Sequence, residues 1–239
     1  MYAKEFLKSI PFVGVALRSL RRYYEWKNDP VPHIQNALSR MKNVYVVQIG
    51  SNDGKTHDPI HSLLLRNPSW AALFVEPVPS LFERLRQNYA NDSRFRFENV
   101  AIGDRVGVRP FYYVDDSAKK HVSNLPCWFD QVGSFDRDHI TRHFGSALDR
   151  FIVTANVPTI PLDLLLERNN IDKIHFLNID TEGYDWHVLR QLDLTKHSPN
   201  AILIEHKHLS TATKIEVRSF LQDRYRIFEL GDDYFCRKV

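Results

Sequence analysis

The stretch VYVVQIGSNDG (residues 44–54) constrains this chain more than any other: a short apolar run passes directly into a loop with glycines at 50 and 54. A run of that length, bounded by a glycine, reads as a strand buried on both faces. Such strands belong to parallel sheets covered by helices. The theme recurs. ALFVEP (72–77), FRFENVAI (95–102), IHFLNID (174–180) and AILIEH (201–206) read as further strands, interleaved with amphipathic segments. A helix from Pro79 places Leu81, Leu85 and Tyr89 on one face. Helices are also expected at 161–169, from about Tyr184, and at 211–222. Asp58-Pro59 reads as the N-cap and first turn of a helix running through LLLR, and NDPVPH (28–33) as a break. The last two runs, YRIFEL and YFCRKV, are close enough across Gly231-Asp232-Asp233 to form a hairpin. The expected class is α/β and Rossmann-like, a mostly parallel sheet closing on an antiparallel hairpin.

The glycine loop limits the ligand. A dinucleotide fingerprint needs G-x-G-x-x-G, and a phosphate loop needs G-x-x-x-x-G-K-[ST]. Here three residues separate Gly50 from Gly54, one too few, although Lys55 and Thr56 follow. Asp53 also occupies a loop in which a phosphate would want only N–H groups and positive charge. Ligands of open parallel sheets sit beyond the carboxyl ends of the strands. Those ends carry Gly50–Gly54, Glu76-Pro77, Asn99–Ala101, Asp180–Glu182 and Glu205-His206. Glu76 comes 26 residues after Gly50, near the distance at which a strand-end acid takes ribose hydroxyls. A ribose acid without a pyrophosphate grip fits S-adenosylmethionine better than NAD or ATP. A nicotinamide-dependent oxidoreductase would need the third glycine. A catalytically idle binding domain would leave the clustering of Glu76, Asp180, Glu182 and Glu205 without a reason.

At 239 residues the chain has room for one large domain, taken as 41–239 after an N-terminal helical segment at 1–40. A net charge of +3 and the lack of a Lys/Arg stripe with interleaved aromatics argue against a nucleic-acid platform. Cys127 and Cys236 stand alone, which favours a reducing, cytoplasmic setting. IPFVGVAL (10–17) is too short to span a bilayer, and Arg18, Arg21 and Arg22 follow it in place of a cleavage site. Val13, Leu17, Leu20 and Tyr24 share one helical face; a helix packed on the domain is the plainer reading, with membrane-surface contact or a cap over the site as alternatives. Between RPFYYVDD (109–116) and RFIVTANVPTI (150–160) the alternation stalls, and an insertion there reads as a substrate-side element. Asp116–His121 and Ser123–Trp128 are its lid candidates, whereas Phe111, Tyr112 and Tyr113 read as strand and core.

QIGSNDG, FVEPVPSLFERLRQNY, NVAIGD and above all FLNIDTEGYDWHVLRQLDL resemble the FkbM family of S-adenosylmethionine-dependent methyltransferases, over roughly residues 44 to 206. QVGSFDRDHITRH (131–143) resembles one branch of it. The resemblance implies the class I methyltransferase fold, a seven-stranded sheet whose last strand is antiparallel, and O-methylation of a hydroxyl on a sugar, glycan or secondary metabolite. It also implies roles. Gly50, Ser51 and Gly54 would let the backbone approach the methionine end of the cofactor. Glu76, with Pro77, would take the ribose; Asn99, Val100 and Ala101 would lie beside the adenine; Asp180 and Glu182 would stand between cofactor and acceptor. Gln48 occupies a position where many class I enzymes have an acid. Its amide can still bond the amino-acid end of the cofactor, and Asp53 can supply the missing charge.

A hydroxyl acceptor must lose its proton, so a general base is needed within hydrogen-bond reach. Asp180, Glu182, Glu205 and His206 are the candidates, and Asp180 is favoured because it ends the central strand beside the glycine loop. Asp180, Glu205 and His206 could alternatively hold a divalent metal such as Mg2+. His139 and His143 have the i, i+4 spacing of a zinc helix, but Ile140 replaces its glutamate and no third ligand is evident. His208 reads as a solvated strand edge, and Asp185 and His187 as structural or surface positions.

Overall fold

The computed structural model describes residues 27–90 and 92–239, so the amphipathic stretch at 10–24 lies outside them. Its centre is the predicted apolar run, β1 (Tyr45–Ile49), flanked in parallel by β2 (Ala71–Val75) and β7 (Phe176–Ile179). With β3 (Phe95–Glu98), β8 (Ala201–Glu205), β9 (Tyr225–Leu230) and β10 (Asp233–Lys238), these form one sheet in the order β3-β2-β1-β7-β8-β10-β9. Strand β10 runs antiparallel to both of its neighbours. A seven-stranded sheet in this order, parallel except for its last strand, is the class I methyltransferase arrangement.

Pleating divides the side chains between two faces. Val47, Ile49, Leu73, Leu177 and Ile202 pack on one face against α5 (Leu162–Arg168), α6 (Asp185–Leu189) and α7 (Thr211–Leu221). Their chain neighbours Val46, Phe74, Phe176 and Leu203 pack on the other against α1 (Pro30–Leu38), α2 (His61–Arg66) and α3 (Pro79–Asn88). Both layers are fully buried, as near-continuous apolar strands require.

Three expectations are corrected. Residues 28–33 hold a helix start in place of a break: Asp29 accepts from the Val31 N–H at 2.9 Å as N-cap, and Pro30 begins α1. Proline is tolerated there because the first helical N–H groups have no intrahelical partner. At Asp58-Pro59 the helix begins later, at His61, with the Asp58 carboxylate accepting from the N–H groups of Ile60 and His61. The third run divides at Asn99-Val100. Its first half is β3; its second, β4 (Ala101–Ile102), joins a separate sheet of three strands. The Asn99 amide donates to the carbonyls of Glu76 and Pro77, which ties down the bend between the two halves.

The small sheet is the insertion. Strands β5 (Gly107–Val114) and β6 (Ile152–Ile160) pair antiparallel, and between them lie two 3-10 turns and α4 (Arg137–Phe144). This stretch has its own core of Val114, Phe129, Val132, Ile140, Leu148 and Phe151.

Candidate active site

All parallel strands point their carboxyl ends to one edge, and a cavity opens there. Gly50 and Asn52 form one side, and Glu76, Pro77, Val100 and Ala101 another. Phe111, Phe135 and Tyr184 supply an aromatic wall, and Asp180 and Glu182 close the far end. Phe135 meets Phe111 edge-on at 5.1 Å between ring centroids and Tyr184 at 5.2 Å. Neither Phe135 nor Tyr184 was singled out from sequence; Phe111, read as strand and core, is both core and cavity wall.

Local chemistry explains why the chain turns as it does. Gly50 has φ +80°, a conformation that disfavours any side chain. Glu76 is 2% exposed, and its two carboxylate oxygens accept from the N–H groups of Asn52 and Val78, both at 2.8 Å. Burial lifts its carboxyl to about 7. The turn after β7 is framed by the fully buried Asp185, which accepts from the N–H groups of Thr181 and Gly183 at 2.8 and 2.9 Å. Asp185 is thus structural, as expected.

Other predicted residues lie outside the cavity. Gln48 is buried and donates to Asp58 at 3.0 Å. Ser51 donates to the Gln48 carbonyl and accepts from the Val75 N–H, fastening loop to strand. Gly54 faces α3, where a Cβ would come 2.4 Å from a Leu85 methyl, so helix packing accounts for this glycine. Burial would raise the Asp53 carboxyl, but bonds from Thr56 and Lys55 outweigh it and hold the group below its ordinary value. Its charge is turned into its own loop.

A second cavity, of about 220 Å³, adjoins the first and shares Asn52, Gln131, Asp180 and Glu182 with it. Trp128, His143, Glu205, Lys207 and His208 complete much of its lining. Burial, then the charges of Glu182, Asp185, Asp233 and Glu76, push the Asp180 carboxyl well above the carboxylate range. Burial and Asp180 lift Glu205 to about 11, and its Oε2 is buried without a hydrogen-bond partner. Carboxyls crowded in this way favour a bound cation.

The predicted grouping of Asp180, Glu205 and His206 does not form. The His206 ring stacks on Tyr234 at 3.9 Å between centroids and faces Glu229, on the side of β8 toward β10. Different histidines converge instead. Among the described residues, His139, His143, Glu182 and His208 each offer a donor atom, and all four atoms lie within 4.8 Å of one another. Glu182 Oε2 stands 2.9 Å from His139 Nε2, 3.8 Å from His143 Nε2 and 3.5 Å from His208 Nε2. This overturns the reading of His208 as a solvated edge and places two more donor-bearing side chains, Glu182 and His208, beside the i, i+4 pair. Burial lowers the His143 imidazole and takes His208 down to about 4.

A family model described as Methyltransferase FkbM domain matches residues 48–230. No curated protein matches the chain. Among solved structures, the METTL16 MTase domain superposes with a TM-score of 0.44 at 9% identity, over 86% of this chain and 64% of that one. A fibrillarin/Nop5p complex gives 0.42 at 10% identity, over 82% and 72%. Human N-acetylserotonin methyltransferase in complex with SAM gives 0.39 at 10%, over 97% and 59%. These likenesses concern fold alone.

Proposed function

Because the chain belongs to the FkbM methyltransferase family, we propose that it transfers the methyl group of S-adenosylmethionine to a hydroxyl oxygen of a sugar, glycan or secondary metabolite. The observation that supports this most is the pair of adjoining cavities that share Asp180 and Glu182 in their linings. The glycine-loop cavity takes the cofactor, with Glu76 at the ribose and Val100, Ala101 and Phe135 beside the adenine. The carboxyl-rich end near Asp180 suits the sulfonium and ammonium charges. The second cavity takes the acceptor.

Methyl transfer is an in-line displacement, so holding donor and acceptor in line where the two cavities meet supplies much of the rate. The acceptor oxygen bonds to the methyl carbon as the carbon–sulfur bond breaks, its electron pair going to sulfur. The hydroxyl proton passes to the Asp180 carboxylate, whose ionised form the positive charge of the bound cofactor favours. His206 has no part in this step, because its ring lies against Tyr234.

Calorimetric titration with S-adenosylhomocysteine, with NAD as control, tests the reading. Micromolar binding of the homocysteine alone is expected, followed by mass-spectrometric detection of a 14-Da gain (one CH2, roughly, by the chemistry of methyl transfer) in a screen that begins with sugars. No binding by folded protein would overturn the cofactor assignment.

A further inference from the structure

We propose that His139, His143, Glu182 and His208 form a mononuclear site for a first-row divalent transition metal, with Zn2+ the leading occupant, in the wall of the acceptor cavity. The donors come from three separate elements. His139 and His143 lie one turn apart on α4, Glu182 sits in the turn after β7, and His208 follows β8. Their convergence therefore depends on the tertiary fold rather than on local sequence.

The spacing fits an ion. Zinc bonded at about 2.0–2.1 Å to tetrahedral donors holds neighbouring donor atoms about 3.3 Å apart. The distances from Glu182 Oε2 to the three Nε2 atoms, 2.9, 3.8 and 3.5 Å, straddle that value. The ring centroids form a nearly equilateral group, 4.8, 4.7 and 4.8 Å apart.

Hydrogen bonding alone accounts for the group poorly. One carboxylate oxygen faces all three imidazoles, and only His139 stands at good hydrogen-bond distance from it. Glu182 also adopts φ +52°, uncommon for a residue with a side chain. Such conformations cost on the order of 1–3 kcal/mol and persist where the surroundings impose them. Here the Asp185 carboxylate, bonded to the N–H groups of Thr181 and Gly183 on either side, imposes it.

Donor chemistry selects the metal. Imidazole suits Zn, Fe, Ni and Cu, whereas Mg2+ requires octahedral oxygen ligands. Three imidazoles and one carboxylate therefore exclude magnesium as the preferred occupant.

The location suggests a role that rests on the methyl-transfer reading, whereas metal binding itself does not. His143, Glu182 and His208 all line the cavity beside Asp180. An acceptor hydroxyl entering a fifth coordination position would be acidified there. Its proton would go to Asp180, its oxygen would take the methyl group, and the metal would keep its oxidation state throughout.

The test is titration of chelator-treated full-length protein with Zn2+ by calorimetry and with Co2+ by visible absorption. One equivalent with micromolar or tighter affinity is expected, with a tetrahedral cobalt spectrum and no heat from Mg2+. His143→Ala and His208→Ala should each weaken zinc binding at least a hundredfold and leave S-adenosylhomocysteine affinity within threefold. His208→Gln serves if the alanine variant melts early. Absence of a stoichiometric zinc site in folded wild-type protein overturns the proposal, as does unchanged affinity in both histidine variants. Zinc binding without S-adenosylhomocysteine binding would instead overturn the cofactor assignment and leave the metal site standing.

Discussion

Gly50 packs so closely against Asp180 that a Cβ placed on it would lie 1.6 Å from the Asp180 main-chain oxygen. The glycine loop and the carboxylate turn are thereby pressed into one unit, and the glycine is needed for that contact as well as for its positive φ. Gly50→Ala must push the two segments apart. Overpacking of this kind costs about 1–3 kcal/mol, and the left-handed backbone adds about 1–2. The expected result is a lower melting temperature together with at least tenfold weaker S-adenosylhomocysteine binding. Gly107→Ala is the control, since its Cβ would meet only the Thr159 hydroxyl at 3.6 Å. It should stay within about 0.5 kcal/mol of wild type.

Glu76 links the cavity to pH. Burial lifts its carboxyl from 4.5 to about 7 in the folded protein. A raised folded value means that the stability of the protonated form is complete below about pH 4.5 and is lost as pH rises through about 7. The whole effect is on the order of 3 kcal/mol. His143, His175, His187, His197 and His206, which burial holds below the ordinary histidine value, act in the opposite sense. The informative quantity is therefore the difference between wild type and Glu76→Gln. Denaturant unfolding of ligand-free protein from pH 5 to 8 should show the variant gaining on wild type as pH rises. A difference that does not change with pH would mean that Glu76 titrates as an ordinary carboxylate.

How far the sequence was legible follows from what local pattern can encode. The apolar run before Gly50 and the acids at strand ends identified the sheet and most of its carboxyl edge, because strand burial and strand termination are written in neighbouring residues. Glu76, Asp180, Glu182 and Glu205 all stand at that edge. The histidine cluster was illegible beyond His139 and His143. Its other members come from turns that the fold brings together, and no periodicity reports such a meeting. His206 and His208 illustrate the limit: two residues apart in one turn, they face opposite ways. The division of the third run had a readable signal in Asn99, whose side chain bonds to the backbone of Glu76 and Pro77.

Phe135 is the insertion's contribution to the glycine-loop cavity. Its ring contacts Phe111 and Tyr184 edge-on, and the Arg109 guanidinium carbon lies 4.1 Å from its centroid. Stacking of a base on an aromatic side chain contributes about 1–3 kcal/mol. Phe135→Ala is expected to weaken S-adenosylhomocysteine binding about tenfold or more in calorimetry, with a smaller effect for Phe135→Tyr. Equal affinity for wild type and both variants would place the adenine elsewhere.

Arg84 touches neither cavity, yet it is expected to govern both. Its guanidinium pairs at 2.5 Å with Asp130, a carboxylate only 4% exposed, and thereby fastens the insertion to α3. Gln131, the next residue, lines both cavities, and Gly133 lines the glycine-loop cavity. Arg84→Ala would leave a buried charge with Lys119 as its nearest cation, 3.9 Å away. Breaking a buried pair from one side costs about 3–5 kcal/mol, so a marked fall in melting temperature is expected, with weaker S-adenosylhomocysteine binding. Adding Asp130→Asn removes the stranded charge and should restore much of the melting temperature. Cofactor affinity should stay low in that double variant, because the insertion has still lost its tether. If Arg84→Ala binds S-adenosylhomocysteine as tightly as wild type, the insertion holds its place without this ion pair, and the position of Gln131 must then be set by the Val114–Phe129–Val132 core instead.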